Sequence, residues 1–183
     1  MKKKIIIGAG VFVIVLGVAF AYLNYRNRSL NARGTADLEQ NGLKVSVTYN
    51  RPSVRGRLIF GTADQNPILE YGKYWRLGAN EATEVTFSTD VTINGNAVKA
   101  GAYRIYTIPG EKTFEIRLNS ELGKWGAFEP NYSLDVMTTT VESQTTISNV
   151  ELFTIELNPI EGGISMSCRW GMWGIELPIL KGN

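Results

Sequence analysis

Apolar residues run without interruption from Ile5 to Leu23, and from Leu43 onward they alternate with polar ones in short bursts. The two patterns call for different structures. As a helix, the first run of uncharged residues spans roughly 28 Å, about the hydrocarbon thickness of a bilayer. Lys2, Lys3 and Lys4 precede it. Tyr22 and Tyr25 stand where interfacial aromatics sit, and Arg26 and Arg28 follow. Residues 1–25 therefore read as one N-terminal transmembrane anchor, with Ile5 to Leu23 as the span. The alternative is a cleaved signal peptide with Ala19-Phe20-Ala21 as its small-x-small site. Continuation of the apolar run through Tyr22 and Leu23 argues against cleavage. Residues 26–40 are polar, rich in Asn and Arg, and show no periodicity, so they read as a linker.

Beyond the linker, residues 41–183 carry the signature of strands. Leu43 to Tyr49 alternates apolar and polar side chains, as a half-buried strand does. Val91 to Ile93 leads into Asn94-Gly95, a strong two-residue hairpin signal. Tyr103 to Ile108, Thr113 to Asn119, Asp135 to Val141 and Val150 to Leu157 repeat the pattern between Gly- and Pro-containing turns. The chain closes on a pair, Ile164 to Trp170 and Ile175 to Ile179, joined by Gly171-Met172-Trp173-Gly174. Nine or ten short strands without an amphipathic helix predict an all-β fold. The expected architecture is an antiparallel β-sandwich of immunoglobulin-like or jelly-roll-like kind.

Charge changes the picture once it is located. The 183 residues carry a formal net charge of +2. Lys2, Lys3, Lys4, Arg26, Arg28 and Arg33 precede Gly34, and no acid does. Removing those six from 19 basic residues leaves 13 against 17 acidic ones, a net of −4 for the body. A mildly acidic body offers nothing in favour of nucleic acid, which wants a basic stripe on the domain itself. Histidine is absent, which excludes serine and cysteine triads built on imidazole and all histidine metal sites. The single cysteine, Cys168, excludes an intrachain disulfide. It shares an inward face with Ile164, Met166 and Trp170, and reads as a small buried hydrophobe. No metal site and no cofactor is expected.

Candidate chemistry gathers in two loops. One runs Arg51-Pro52-Ser53-Val54-Arg55-Gly56-Arg57 and the other Tyr71 to Thr83. Arg51, Arg55, Arg57 and Arg76 have the guanidinium forks that match carboxylate or phosphate. The plainer reading is that they pair with Glu70, Glu81 or Glu84 and pin loops to the sheet. Asn80 and Glu81 offer hydrogen bonds to a sugar or a peptide, or equally to the local backbone. Trp75, Trp125 and Tyr132 are a stacking platform for a glycan, or else ordinary core and rim. Glu81 and Glu84 are a candidate carboxylate pair for glycoside hydrolysis, but a spacing of three near a strand start does not specify one.

Several uncommon words recur in one order: Tyr49-x-Arg51-Pro52, Gly56-Arg57-x-Ile59-Phe60-Gly61, Tyr71-Gly72-x-x-Trp75-Arg76-x-Gly78-Ala79-Asn80-Glu81-Ala82-Thr83, Gly101-x-Tyr103 with Ile108-Pro109-Gly110, and Trp125-Gly126. With these the chain resembles domain of unknown function 2911. The resemblance implies an exported or membrane-anchored bacterial protein and brings no catalytic residues with it. Leu77 stands where that pattern has threonine, and Leu69-Glu70 replaces an apolar-Pro pair.

Together these readings predict a membrane-anchored extracytoplasmic sandwich, periplasmic or facing the cell exterior. Cleavage at Ala19-Phe20-Ala21 would make it an exported soluble form instead. The expected role is binding of an envelope protein or a glycan through Arg51, Arg55, Arg57, Trp75, Arg76, Asn80 and Glu81. Two other roles stay open: a hydrolase-like enzyme using Glu81 or Glu84 with an arginine clamp, and a purely structural envelope component.

Overall fold

The computed structural model describes residues 2–182, and in the first turns of its helix the side chains of residues 2–7 and 9 lie outside the description. Ile5, Ile6, Ile7 and Ala9 of the expected span are among them. Helix α1 covers Lys2–Leu30. Among the described residues, one helical stretch, Gly10–Leu30, is long and apolar enough to cross a membrane, and none of it is buried against the body. Such a helix fits a membrane anchor or a signal sequence. Strand β1, Ala32–Gln40, follows α1 after one residue. The expected linker at residues 26–40 is therefore the end of a helix and an edge strand.

The rest is mostly antiparallel β-sheet in a sandwich-like arrangement. The first sheet has the order β1, β2 (Leu43–Arg51), β5 (Thr83–Phe87), β8 (Gly101–Pro109), β9 (Thr113–Asn119) and β10 (Asp135–Glu142). The second has β11 (Gln144–Ile160), β12 (Gly163–Lys181), β6 (Val91–Ile93) and β7 (Asn96–Val98). Alternation explains the inward faces. Val45, Val47, Val85, Phe87, Ile105, Ile116 and Leu118 of the first sheet are buried in one cluster with Phe153, Ile155, Ile164, Met166 and Ile179 of the second. Tyr49 ties the sheets along one side: its hydroxyl donates to Ile155 O at 3.3 Å and accepts from Ile155 N at 3.0 Å. On the other side Asn94 Nδ2 donates to Thr139 Oγ1 at 3.2 Å.

The final hairpin expected around Gly171 is instead one strand of 19 residues, β12. Ile164, Met166, Cys168 and Trp170 face inward from even positions, and Trp173, Ile175, Leu177 and Ile179 from odd ones. A bulge between them changes the parity. Gly171 has φ +63° there, and the register with β11 shifts on either side of Val150, which pairs with it. A bulge and a turn leave the same mark on a one-dimensional pattern.

Cys168 is fully buried, as its place on that face requires, and burial pushes its thiol pKa well up. The native chain is expected to resist a maleimide at neutral and mildly alkaline pH, and to react once unfolded in urea. Mass analysis of the adduct checks this, and prompt labelling of folded protein would contradict it.

Residues 52–82 connect β2 to β5 across one end of the sandwich. Within them β3 (Phe60–Gly61) and β4 (Leu69–Glu70) pair in parallel. Further on, Trp75 bridges Thr107 of β8 by two backbone bonds, 2.8 and 2.9 Å. That bridge sends the indole into the core, where it stacks on Trp170 at 5.8 Å and meets Phe60, Phe153 and Trp173 edge-on. It is a packing residue and not part of an exposed platform.

Candidate functional site

The arginines of the two loops do not gather around one cleft. Arg51 reaches across to β11, where Nε donates to Phe153 O at 3.2 Å and Nη2 to Thr154 Oγ1 at 3.0 Å. Arg55 Nε bonds Ser53 Oγ at 2.8 Å, and Arg57 bonds the carbonyls of Ser53 and Val54 at 2.7 and 3.0 Å. Arg57 faces a separate shallow depression beside Tyr71 and Met172. Arg76 is half-buried and donates to Asn80 O at 3.4 Å; burial lowers its pKa. None of the four contacts Glu70, Glu81 or Glu84. They fasten loops through carbonyls and hydroxyls, so the ion pairs expected between them do not form. Tyr132 lies against Tyr106 and Arg117. The three-membered glycan platform is therefore not assembled.

Glu81 does sit at an opening, with the buried Asn80 behind it. The turn before them is tight: Leu77 and Asn80 have φ +53° and +55°, and Leu77 is fully buried. Leucine is strained in that conformation by about 1–2 kcal/mol, and burial in the core holds it there. Thr83 Oγ1 donates to Leu77 O at 2.7 Å and closes the turn. The segment then zips to a second loop. Gly126 N donates to Asn80 O at 2.9 Å, Ala82 N to Lys124 O at 3.0 Å, and Glu81 bridges Trp125.

Gly126 is required by that contact. A Cβ there would lie 2.7 Å from Arg76 Cδ and 3.0 Å from both Ala82 N and Asn80 O. Gly126→Ala is expected to cost about 1–3 kcal/mol as overpacking. Amide exchange at Ala82 and at position 126 should quicken more than in the core strands, and unchanged protection would refute the close fit.

These segments wall a cleft of about 570 Å³. Its floor is the outer face of the first sheet, where Thr48 and Glu84 are register partners. Glu84 Oε1 accepts from Gly123 N at 2.7 Å and holds the loop at one side. Across the cleft stands the end of α1 with Arg28, Asn31 and then Arg33. Glu81 joins the two walls: Oε1 pairs with Arg28 at 2.9 Å and Oε2 accepts from Asn50 Nδ2 at 3.1 Å. Lys124 and Trp125 form the rim. The cleft thus offers cations from Arg28, Arg33 and Lys124 and carboxylates from Glu81 and Glu84. Of the seven candidates named from sequence, Glu81 alone lines it. Arg28 and Arg33 were visible as basic residues after the apolar run, but their position over the sheet depends on how α1 meets β1.

Sequence reasoning also missed a buried polar layer on the outer face of β8 and β9. Arg104, 1% exposed, donates to the Tyr74 hydroxyl and to Phe128 O at 2.7 Å, and lies 3.6 Å from Glu121. Beside it Tyr106 donates to Asp135 at 2.7 Å, and Asp135 also takes Arg117 at 2.9 Å and Asn119 at 2.7 Å. Burial, then the Asp135 carboxylate, pushes the Tyr106 pKa well up. Burial and a hydrogen bond to Glu129 raise that of Tyr132 to about 12. The layer clamps residues 120–134 onto the sheet and so sets the cleft's outer wall.

Fold and site define a class: an antiparallel β-domain carried on an N-terminal apolar helix, with a mixed-charge cleft where the two join. Within it, the chain belongs to the family described as protein of unknown function (DUF2911), whose model matches residues 32–179. The match begins where β1 does, so the edge strand is part of the family domain. No curated protein and no solved structure matches the chain.

Proposed function

We propose that the protein is a membrane-tethered binding module, held by α1 with its sandwich on the extracytoplasmic side, and that its ligand site is the cleft beside Glu81. The observation carrying this reading is the lining. Five charged side chains of both signs surround about 570 Å³ of open space at the foot of the helix. That chemistry suits a polar ligand bearing both charges, such as a peptide segment of an envelope protein. Binding is favoured over turnover because the two acids already have structural partners. Glu81 bonds Arg28 and Asn50, and Glu84 bonds the Gly123 amide.

Two measurements test the reading. The native Cys168 is buried and silent, so Lys99→Cys gives one exposed thiol. A membrane-impermeant maleimide should label it in cells whose cytoplasmic membrane is intact; labelling only after lysis overturns the location. A benzophenone side chain at position 31 of the full-length chain in native membranes should yield a discrete adduct, absent from a probe at position 99 and lost with Lys124→Glu. The same adducts from both probes would overturn the cleft as the site.

A further inference from the structure

The loop that walls the cleft carries a second, apolar feature. Trp125 is 39% exposed and Phe128 73% exposed, and Leu122 beside them is 41% exposed. Phe128 N bonds Trp125 O at 3.3 Å, so the two aromatics stand on one turn. The turn is rigid at its base, because Gly126 N, Phe128 O and the Gly123 amide are all tied to the sandwich by the bonds to Asn80, Arg104 and Glu84. A built turn that displays two large rings to solvent is unusual on a free surface.

Its position relative to α1 says what covers it. Trp125 shares a recess with Phe20, Leu23, Asn24, Asn27 and Arg28. It therefore stands at the end of the apolar run, where Phe20 and Leu23 give way to Asn24, Asn27 and Arg28. Leu23 and Arg28 are separated along the axis by about 7–8 Å, which is the depth over which hydrocarbon gives way to headgroups. Tryptophan prefers that layer, its ring in the apolar part and its N–H towards water.

The geometry points to the turn at Trp125–Phe128 as a second membrane contact: it inserts at the lipid interface beside α1 and fixes the sandwich against the bilayer. The inference rests on α1 being a retained anchor, as proposed above. It adds that the body docks on the lipid instead of standing clear of it, with the mixed-charge cleft opening at headgroup level.

The test uses the full-length chain in vesicles of phosphatidylethanolamine and phosphatidylglycerol, with and without bromine high on the acyl chains. Trp75, Trp170 and Trp173 are core residues, 2%, 2% and 8% exposed, and their emission is subtracted with Trp125→Phe. The Trp125 component should lose more than half its intensity in brominated vesicles and resist aqueous iodide. Phe128→Ser should weaken the bromine effect. Strong quenching by iodide with none by bromine overturns the docking while leaving the anchor intact. Resistance to both quenchers also overturns it, and assigns the turn to α1 or to a second copy of the chain. Release of the protein from vesicles by alkaline wash overturns the anchor itself, and the docking with it.

Discussion

Arg104→Leu is expected to destabilise the protein by about 3–5 kcal/mol, the scale of breaking a buried charge pair on one side. The reason is what the guanidinium leaves behind. The Tyr74 hydroxyl and Phe128 O face it on the outer side of β8, and Glu121, a quarter exposed and also paired with Lys124, lies at the edge. Leucine satisfies none of them. Arg104→Lys should recover only part of the loss, because one ammonium does not reproduce the fork that reaches both Tyr74 and Phe128. Urea unfolding of the full-length chain in mild detergent, followed by core tryptophan emission, measures both variants. Limited proteolysis should cut first within residues 120–134. A loss below about 1 kcal/mol would mean the layer is no more than a surface ion pair.

Trp75→Ala should cost a similar amount, about 3–5 kcal/mol, by a different route. Here the loss is packing. The indole touches rings from β3, β11 and β12, and its Nε1 donates to Gly78 O at 3.2 Å. Truncation opens a cavity where the two sheets and the 52–82 connection meet. Trp75→Phe retains most of the apolar area but not the N–H, and should lose roughly 1–3 kcal/mol, leaving Gly78 O without its partner. The contrast matters for the site. If the turn at 77–80 is held by the Trp75 anchor, both variants should speed amide exchange at Thr83 and Ala82 before the strands are affected. Equal exchange in all three proteins would separate the anchor from the turn.

The sandwich was legible where side chains announce it. Asn94-Gly95 has φ +46° and +80°, the left-handed pair that a tight hairpin needs, and β6 and β7 flank it in register. Strand β1 was not legible, because its inward positions are Gly34, Ala36, Leu38 and Gln40. The alternation exists but is written in small and polar residues. Gly34 shows why: a Cβ there would be 3.0 Å from the Tyr49 ring and from Arg51 Cδ. Close approach to its neighbour removes the large apolar residues that a pattern search needs.

The site was less legible than the fold. Composition drew attention to arginines, yet Arg51, Arg55 and Arg57 spend their donors on nearby oxygens. Arg104 lay inside a strand pattern, and nothing local marks it as buried. Its cover comes from residues 120–134, some twenty positions later in the chain. Glu81 could be named because it follows a Gly-Ala-Asn turn. Arg28, its partner, was counted only as a flanking charge of the apolar run.

Asn31 alone separates α1 from β1. Fifteen slack residues would have let the head wander about 20 Å from its stalk. Instead, the next nine are stitched pair by pair to β2, from Ala32 opposite Arg51 to Gln40 opposite Leu43. The joint between helix and sheet is therefore confined to the bend at Asn31, whose backbone N–H and Nδ2 both donate to Asn27 O. With α1 held in a bilayer, as proposed above, so short a joint would keep the sandwich close to the lipid.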